Sequence, residues 1–490
     1  MSNFSIKGLA EPSHWQYLFA PDSVAVIGAS NAPGSWGHGV MTHLLDSAKR
    51  DIYPVNPTVS EVLGIATYDS VVNIPSPIDL AIIVVSAPQV PAVLKECVQK
   101  GVRAVVIISA GFAESGEQGR ELENELVEVA RRGGIRFVGP NSMGHADTLS
   151  QLYTLAWQER IPTGPVALIS QSGFYGGQII RKGMESGIGF SKLISTGNEA
   201  DLHLEDYLEY LAQDQDTKII AAYLEGLREG RRFFQLAKET AIRKPIVVIK
   251  AGGTKESARA ARSHTGVLAG SDAVYAAAFR QAGVIRANDD DELCDVVTAL
   301  LAQPLPRGNR IGILTVGGGP GVVAAEACEK EGLTIAPLSS STMEKLNSWL
   351  PPRWSHGNPV DVAGITARRR GLVFSSLWAL MEDENVDAVL LQLPVVLSAA
   401  RLSSVLRFNA EETREFQEMQ KESLSMVKER VKEYGKPVFV TTLVRDEEAA
   451  SFLHTAGIPA YHSPRRAARA LSHLVWYRHY LDVHRNSNSR

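Results

Sequence analysis

The chain has 490 residues, of which 44% are hydrophobic and 21% are charged, and its formal net charge is −4. This composition is typical of a folded, soluble protein rather than a disordered or fibrous one, and the length suggests about three domains of roughly 150 residues. The slightly acidic balance argues against nucleic acid or an anionic membrane as the main partner.

Short runs rich in valine and isoleucine alternate with amphipathic segments over the first 155 residues. The runs lie at residues 23–29, 51–55, 79–85, 103–109 and 135–139. One intervening segment, residues 120–132, has apolar side chains every three or four positions, which predicts a helix. Buried strands that alternate with helices predict a parallel sheet, so we expect a doubly wound, Rossmann-like α/β domain over residues 1–155.

Two further arrays follow the same pattern. The second has runs at residues 165–170, 190–196, 218–225 and 244–251, followed by a helix from about residue 272. A linker-like stretch, QPLPRGNR, separates it from a third array with runs at residues 310–316, 387–393 and 436–442. We expect the charged segment 411–434 to be a solvated helical face and the polar tail 481–490 to be frayed.

The chain shows no sign of export, membrane insertion or metal binding. Its three cysteines, Cys97, Cys294 and Cys328, lie far apart without the spacing of metal ligands. The start lacks a basic segment followed by an apolar one, and the most apolar stretch, residues 79–94, is broken by prolines and too short for a membrane span. These features predict a cytoplasmic protein without a metal site.

A glycine-rich turn, GASNAPGSWGHG, follows the first predicted strand at residues 28–39. Glycines let backbone amides approach a phosphate at a helix N-terminus, although such turns also serve close packing. The spacing departs from the NAD fingerprint, and the second strand ends in Val55-Asn56-Pro57 without a carboxylate for a ribose. The residues alone leave a nucleotide other than NAD and a structural turn about equally favoured.

The second and third arrays each contain a strand, a glycine-rich turn and a helix, at residues 168–180 and 314–328. Each turn presents a helix N-terminus that suits an anion, and the second helix is expected to end at Gly332. One such turn is more often structural than functional. Two in one chain suggest a phosphate held between two helix dipoles.

Glu225 and His264 are the candidate reactive pair. Glu225 closes the run 218–225, which places a carboxylate at the carboxyl edge of the predicted sheet. His264 lies in RSHTGVLAGSD, whose small residues would let the histidine reach more than one position. A carboxylate that holds one ring nitrogen would leave the other free to attack phosphorus. A solvated glutamate and an exposed loop histidine are the alternatives for each residue taken alone.

Nine motifs in chain order resemble the α-subunit part of the ADP-forming acyl-CoA synthetases, which include acetate–CoA ligases and are related to succinyl-CoA synthetase. They are SVAVIGAS, IYPVNP, IISAGF, VGPNSMG, ALISQSG, GNEADLHLEDYLEYL, YLEG, SHTGVLAGSD and NPVD. The likeness extends over residues 23–471. It implies that the Rossmann-like domain binds coenzyme A (CoA), and that two flavodoxin-like domains follow at residues 160–302 and 308–480.

The resemblance also implies roles for individual residues. His264 would be the family's phosphohistidine, and Glu225 the carboxylate that steadies it. The matched CoA-site residues are Gly28, Ser30, Gly34, Ser35, Gly37, Asn56, Val85, Ser86, Ser109, Gly111 and Asn141. The helix starts that would cradle phosphate are Ser172 and Gly173, and Gly318, Gly319 and Gly321. The carboxylic acid would become an acyl phosphate that CoA attacks, and the phosphoryl group would pass through His264 to ADP, or arrive from ATP in reverse.

The chain also departs from the family pattern. The family's ATP-grasp domain has no counterpart in these 490 residues, so a separate β subunit is expected to bind ATP or ADP with Mg²⁺, in an α2β2 heterotetramer. Ser142 stands where cysteine is frequent, and Arg259 and Arg262 stand where small residues are commoner. The segment after Leu393 follows the pattern poorly, which leaves the identity of the acid open.

Two other functions are compatible with the same fold. A CoA-responsive regulatory or scaffold protein could have kept the fold without an ATP-grasp partner, but it would need neither His264 nor Glu225. A CoA transferase or lyase would need no nucleotide and no phosphorylated side chain, which leaves the two helix N-termini unexplained. The sequence therefore favours the ligase.

Overall fold

The computed structural model describes residues 12–47, 49–156, 159–254, 256–257, 271–362, 371–392, 398–442 and 447–487. These residues form three main sheets with flanking helices, so the predicted α/β class is confirmed. The chain divides into two compact units, of which the first comprises Met1–Met184 with Ile188–Asn288 and the second Glu185–Gly187 with Asp289–Arg490. The first unit holds two of the sheets and the second unit holds the third. The predicted division into three domains remains a prediction.

The first sheet is parallel throughout, in the strand order β2-β1-β5-β6-β7. The strands of this region are β1 (Ser23–Ile27), β2 (Asp51–Val55), β3 (Glu61–Val62), β4 (Ile65–Ala66), β5 (Leu80–Ile83), β6 (Ala104–Ile107) and β7 (Arg136–Val138). The helices are α1 (Pro12–Phe19), α2 (Trp36–Ser47), α3 (Val90–Lys100) and α4 (Glu117–Gly133). β1, β5 and β6 are buried along their whole length, because helices cover both faces of a parallel sheet. β3 and β4 form a separate hairpin.

The second sheet has the order β14-β13-β12-β10-β11-β8-β9. Its strands are β8 (His145–Asp147), β9 (Leu152–Tyr153), β10 (Thr163–Ser170), β11 (Phe190–Ser195), β12 (Ile219–Leu224), β13 (Ile246–Lys250) and β14 (Val284–Ala287). Its helices are α5 (Gly173–Glu185), α6 (Leu204–Gln213), α7 (Gly230–Ala241) and α8 (Asp272–Ala282). β8 and β9 precede the predicted boundary at residue 155, yet they join this sheet as antiparallel strands. Strands of three and two residues are too short to show a periodic pattern.

Buried charges attach β8 to the second sheet. Lys192 of β11 is only 2% exposed, and its Nζ lies 3.2 Å from a carboxylate oxygen of Asp147 and 3.0 Å from one of Asp214. A buried ammonium is tolerated only when opposite charges compensate its lost hydration. β8 is therefore held by this charge cluster in addition to its backbone hydrogen bonds.

A buried histidine contacts the first helix. The His145 Nε2 lies 2.5 Å from the backbone oxygen of Leu18, and the Phe19 ring packs edge-on against the imidazole. Burial lowers the pKa of His145 to about 4, from an ordinary value of 6.5. The imidazole is therefore neutral in the folded protein at pH 5 to 7, where an unfolded chain would begin to protonate it.

We predict that this histidine makes the first unit acid-sensitive. Below pH 6.5 the unfolded state binds a proton that the folded state excludes, so the stability contributed by the neutral imidazole is lost as the pH falls from 6.5 to 4. His145→Gln keeps an amide donor without titrating, and should flatten that decline by about 1–3 kcal/mol. Denaturant unfolding of both proteins between pH 4 and 7 measures this change in the pH dependence of stability. The exposed His479 provides the control His479→Gln, and an equal flattening there would contradict the assignment.

The second unit is built on the third sheet, with the order β16-β15-β18-β19-β20 and β17 paired to β15. Its strands are β15 (Arg310–Thr315), β16 (Thr334–Ile335), β17 (Val360–Asp361), β18 (Ala388–Gln392), β19 (Val438–Thr441) and β20 (Ala460–Tyr461). Its helices are α9 (Asp290–Ala302), α10 (Gly318–Lys330), α11 (Ser340–Trp349), α12 (Gly371–Glu382), α13 (Ala399–Leu406), α14 (Ala410–Tyr434), α15 (Glu447–Thr455) and α16 (Pro464–Ser487). All of its described strand pairs are parallel.

Two expectations for this unit need correction. The helix α14 is not simply a solvated face, because Leu424 and Val427 on one side are fully buried in the core. The polar tail is not frayed from residue 481, because α16 continues through Ser487. α10 ends as expected, with Gly332 in the left-handed conformation just beyond it (φ +76°). Among the described residues, no helix combines the length and apolar character that crossing a membrane requires.

Candidate functional site

The glycine-rich turn after β1 requires its glycines. Gly28 adopts φ +95°, a conformation that side chains rarely allow. A Cβ on Gly37 would lie 2.1 Å from the backbone oxygen of Gly28, so α2 can approach the end of β1 only with glycine there. Residues 31–34 between them are exposed. The turn therefore offers an open helix N-terminus at the carboxyl edge of the first sheet.

Polar side chains hold this turn in place. The Asn56 side-chain amide donates to the backbone oxygen of Ala29 (2.8 Å), which links the end of β2 to the turn. The Asn31 side chain donates a hydrogen bond to the backbone oxygen of Glu61 and accepts one from the backbone N–H of Leu63, each at 2.9 Å. Asn31 thus ties the β3–β4 hairpin to the turn. No sequence signal pointed to this residue, because its partners lie thirty positions away.

The other predicted CoA-site residues also follow the carboxyl ends of neighbouring strands, but several are already hydrogen-bonded. The Ser109 hydroxyl donates to the backbone oxygen of Val85 at 2.6 Å. The Gly111 N–H donates to the carboxylate of Glu114 at 2.6 Å. Burial acts to raise the pKa of Glu114, but the hydrogen bonds to its carboxylate outweigh burial, so the pKa is lowered. Ser86 is exposed, but its hydroxyl donates to the side-chain oxygen of Gln89 at 2.8 Å. The open part of this edge is therefore the glycine-rich turn.

Asn141 connects the first sheet to the second within the same unit. It follows β7 with φ +57°, and its amide donates to Asn198 at 3.2 Å. Ser142 donates from its hydroxyl to the backbone oxygen of Ser195 at 2.5 Å. Both side chains are therefore used to join the loops that follow β7 and β11.

The first candidate phosphate helix begins at Gly173, and Ser172 lies in the short turn between the end of β10 and this helix. Its start is packed tightly on the inner side, since a Cβ on Gly173 would lie 2.3 Å from Met143. On the outer side, Phe174 is 77% exposed. The first turn of this helix thus lies beside an exposed aromatic ring.

Glu225 lies at the end of β12, next to β10 in the sheet, and is 6% exposed. Its carboxylate accepts a hydrogen bond from the Tyr223 hydroxyl at 3.4 Å, and burial together with Glu225 raises the pKa of that hydroxyl. Its backbone oxygen accepts from the Lys250 ammonium at 2.9 Å. The structure thus places the carboxylate at the predicted sheet edge, beside the helix that begins at Gly173.

Gln171, which is absent from the sequence-based candidates, bonds to the main chain of Glu225. Its Oε1 accepts from the N–H of Glu225 (2.6 Å) and of Gly226 (3.1 Å), and its Nε2 donates to the Gly226 oxygen (2.8 Å). Gln171 is buried in the turn after β10, where an exposed residue is the ordinary expectation. Only its position between Ser170 and Ser172, just before the glycine that begins the helix, could have drawn attention to it.

A second buried carboxyl lies near the same turn. Glu199 is 2% exposed and adopts φ +55°. Burial raises its pKa to about 8, against hydrogen bonds from Gln171 and Thr196 that act in the opposite direction. Glu199 is therefore protonated at neutral pH and adds no negative charge to the site.

His264 lies outside the described residues, as do Arg259, Arg262 and Leu393. Gly253 precedes the histidine segment in the described chain, and Asp272 follows it. Asp272 forms a salt bridge with Arg286 at 2.6 Å, and a Cβ on Gly253 would lie 3.1 Å from its carboxylate. The two ends of that segment are therefore close together, at the same sheet edge as Glu225.

The second candidate phosphate helix, α10, belongs to the other unit. Its N-cap is Gly317, and Gly318, Gly319 and Gly321 form its first turn. A Cβ on Gly321 would lie 3.1 Å from Thr315, whereas nothing lies within 4 Å of one on Gly319. A cavity of about 450 Å³ opens beside this turn and is lined by Gly318, Gly321, Val322, Ser355 and Asp361, among others. Val322 is 69% exposed.

Comparison with protein families matches two parts of the chain. Residues 22–147 match a CoA binding domain, and residues 163–300 match a succinyl-CoA ligase-like flavodoxin domain. These ranges correspond to the first and second sheets. The predicted Rossmann-like and flavodoxin-like classes are therefore confirmed for them.

Relatives match nearly the whole chain. The α subunit of ADP-forming acetate–CoA ligase II from Pyrococcus furiosus is 43% identical over 467 residues, which cover 94% of this chain and 97% of that protein. ADP-forming acetate–CoA ligase I from Archaeoglobus fulgidus is 41% identical over 94% of this chain, but over only 63% of its own length.

Solved structures agree with this assignment. A dinucleotide-forming acetyl-coenzyme A synthetase 1 from Ca. Korarchaeum cryptofilum, solved with phosphate and ADP, superposes with a TM-score of 0.83 at 34% identity, over 96% of this chain and 99% of that one. A protein from Pyrococcus horikoshii OT3 superposes with a TM-score of 0.78 at 38% identity, over 95% and 99%. The chain thus belongs to the α subunits of the ADP-forming acetate–CoA ligases, a family of acid–thiol ligases.

Proposed function

We propose that the chain binds CoA and carries the phosphoryl group, on His264, in the interconversion of carboxylic acid, CoA and ATP with acyl-CoA, ADP and phosphate. The observation that carries the proposal is the buried carboxylate of Glu225. It lies at the sheet edge where the histidine segment begins and ends, and its main chain is hydrogen-bonded on both sides. Few structural roles require a buried acidic side chain at the carboxyl edge of a sheet.

The proposed chemistry balances in two steps. Inorganic phosphate attacks the thioester carbonyl of acyl-CoA, the carbon–sulfur bond breaks, and CoA leaves with an acyl phosphate remaining. A neutral ring nitrogen of His264 then attacks the phosphorus, the bond between phosphorus and the acyl oxygen breaks, and the carboxylate leaves. Glu225 accepts a hydrogen bond from the other ring nitrogen and stabilises the imidazolium that develops.

Helix N-termini supply the anion sites in this scheme. We assign the turn of Ser172 and Gly173 in the first unit, and separately the turn of Gly318, Gly319 and Gly321 in the second unit, to phosphate binding, since each begins a helix and so lies at the positive end of its dipole. We assign the CoA phosphates to the turn from Gly28 to Gly37, which is open at the edge of the first sheet. The match to a CoA binding domain over residues 22–147 supports this last assignment.

Transfer between His264 and the nucleotide is assigned to a partner subunit. We propose an ATP-grasp β subunit that binds ADP or ATP with Mg²⁺ and forms an α2β2 heterotetramer with this chain in the cytoplasm. The name "subunit alpha" of two relatives supports a partner. The buried residues Cys97, Cys294 and Cys328 form no disulfide bonds in the structure, which agrees with a reducing compartment. The regulatory alternative loses support because the relatives that span the chain are named as ligases.

The half-reaction on this chain can be tested without nucleotide or β subunit. The chain is incubated with radiolabelled inorganic phosphate and acetyl-CoA, 4-hydroxybutyryl-CoA or feruloyl-CoA in turn, since relatives are named for these acids. We expect acid-labile label on His264 by mass spectrometry with at least one thioester. His264→Ala should abolish the label and His479→Ala should keep it. A folded chain that binds CoA but takes no label from any thioester would refute the proposal.

A further inference from the structure

We propose that Gln171 is a positioning residue for phosphoryl transfer, because its side-chain amide fixes the main chain that carries the Glu225 carboxylate. The inference rests on the proposed role of Glu225. Gln171 itself is not a reacting group, because both ends of its amide are hydrogen-bonded to main-chain atoms.

The three hydrogen bonds of Gln171 leave one orientation of the amide. Its oxygen faces two N–H donors, those of Glu225 and Gly226, and its nitrogen faces the Gly226 carbonyl. A flipped amide would turn its own N–H group toward two donors and its oxygen toward an acceptor. All three bonds would then be lost inside a buried site, so the side chain acts as a rigid clamp.

Glu199 lies close to Gln171, whose side chain acts to lower the pKa of this carboxyl against the effect of burial. Burial prevails and raises the pKa of Glu199 to about 8. At neutral pH Glu199 is therefore protonated and places no second negative charge beside Glu225.

The clamp matters because β12 ends at Leu224 and the chain turns immediately afterwards. Glu225 and Gly226 donate their N–H groups to Gln171 instead of to a neighbouring strand, so the sheet ladder does not hold these two amides. Lys250 fixes the Glu225 carbonyl, and Tyr223 bonds its carboxylate. Removing the amide leaves two buried donors without acceptors, and the turn would have to shift to hydrate them. A displacement of about 1 Å at a reacting centre can cost about 100-fold in rate.

The test replaces Gln171 with methionine, which matches its length but forms no such hydrogen bonds. Gln178→Met is the matched control, since Gln178 is exposed on the following helix. We expect Gln171→Met to slow labelling of His264 by about 10- to 100-fold, with the affinity for CoA unchanged. We also expect faster hydrogen exchange in the peptide that contains Glu225 and Gly226. The control should match the unsubstituted chain in both measurements.

A double-mutant cycle separates positioning from a general structural effect. If Gln171 acts through Glu225, then Gln171→Met should cost little in a Glu225→Gln background, where the carboxylate is already absent. Additive losses in the cycle would overturn the proposal. Unchanged hydrogen exchange and labelling in a folded Gln171→Met variant would also overturn it.

Failure of the proposed function gives a different result. In that case the unsubstituted chain takes no label, whereas the exchange measurement still reports whether Gln171 holds the turn. Labelling of the unsubstituted chain combined with normal labelling of Gln171→Met would refute the positioning role alone. Thermal unfolding and CoA binding of each variant show that the first unit is folded.

Discussion

Replacing Glu225 with glutamine is expected to slow phosphoryl transfer to and from His264 by roughly 10²- to 10⁴-fold. The amide has nearly the same shape and can still accept the hydrogen bond of the Tyr223 hydroxyl, and the backbone bonds to Gln171 and Lys250 do not involve the side chain. What is lost is the negative charge. Without it the ring tautomer of His264 is no longer selected, and the imidazolium that forms during transfer loses its counter-charge.

Rapid-quench measurement of the label on His264 gives this rate in both directions. Glu239→Gln is the matched control, because Glu239 is exposed on the next helix of the same unit and its replacement removes the same charge. We expect the control to remain within about twofold of the unsubstituted chain, since a distant exposed charge is screened by solvent. If Glu225→Gln behaved like Glu239→Gln, the carboxylate would have no part in the transfer.

Replacing Gly37 with alanine is expected to abolish CoA binding and to lower the free energy of unfolding of the first unit by about 3 kcal/mol. The new Cβ would lie 2.1 Å from the backbone oxygen of Gly28, and 3.1 Å from its carbonyl carbon. Backbone atoms cannot rotate away as a flexible side chain can. The start of α2 must therefore move off the end of β1, which removes the amides that we assign to the CoA phosphates.

Isothermal titration with CoA and denaturant unfolding measure the two effects. Gly230→Ala is the control, because Gly230 is the first residue of α7 and a Cβ at this position would meet nothing within 4 Å. Alanine there should be neutral or slightly stabilising, since it reduces the freedom of the unfolded chain. Tight CoA binding by a stable Gly37→Ala protein would show that the turn is not the phosphate site.

The same glycine-rich turn shows how far sequence reasoning extends. Gly28 and Gly37 could be identified from the turn that follows the first strand, because close approach of a helix to a strand end demands glycine whatever the rest of the fold. Asn31 could not be identified in this way. Its importance comes from the hairpin that it bonds, and nothing local distinguishes it from other polar residues in a turn.

The second sheet gives a similar contrast. The run that ends at Glu225 is continuous and apolar, so the strand and the carboxylate at its end were both predicted. The strands β8 and β9 were not predicted, because residues 145–153 show no alternation of apolar and polar side chains. The position of these strands in the sheet is set by contacts such as the ion pair of Lys192 and Asp147. The prediction that α14 is a solvated face was wrong because its many charged residues make the apolar residues on its one buried side hard to recognise in the sequence.

The amino-acid sequence by itself determined the α/β class, the strands of the three sheets that lie buried on both faces and the glycine-rich turns, because these features depend on residue types within a few positions of one another. The choice of Glu225 and His264 depended in addition on the resemblance of nine motifs along the chain to a known family. Only the tertiary structure decided which polar groups remain available, such as the Gly111 amide bonded to Glu114 and the Glu225 main chain held by Gln171. The physical reason is that burial and hydrogen bonding depend on residues far apart in the chain, and no local pattern records them.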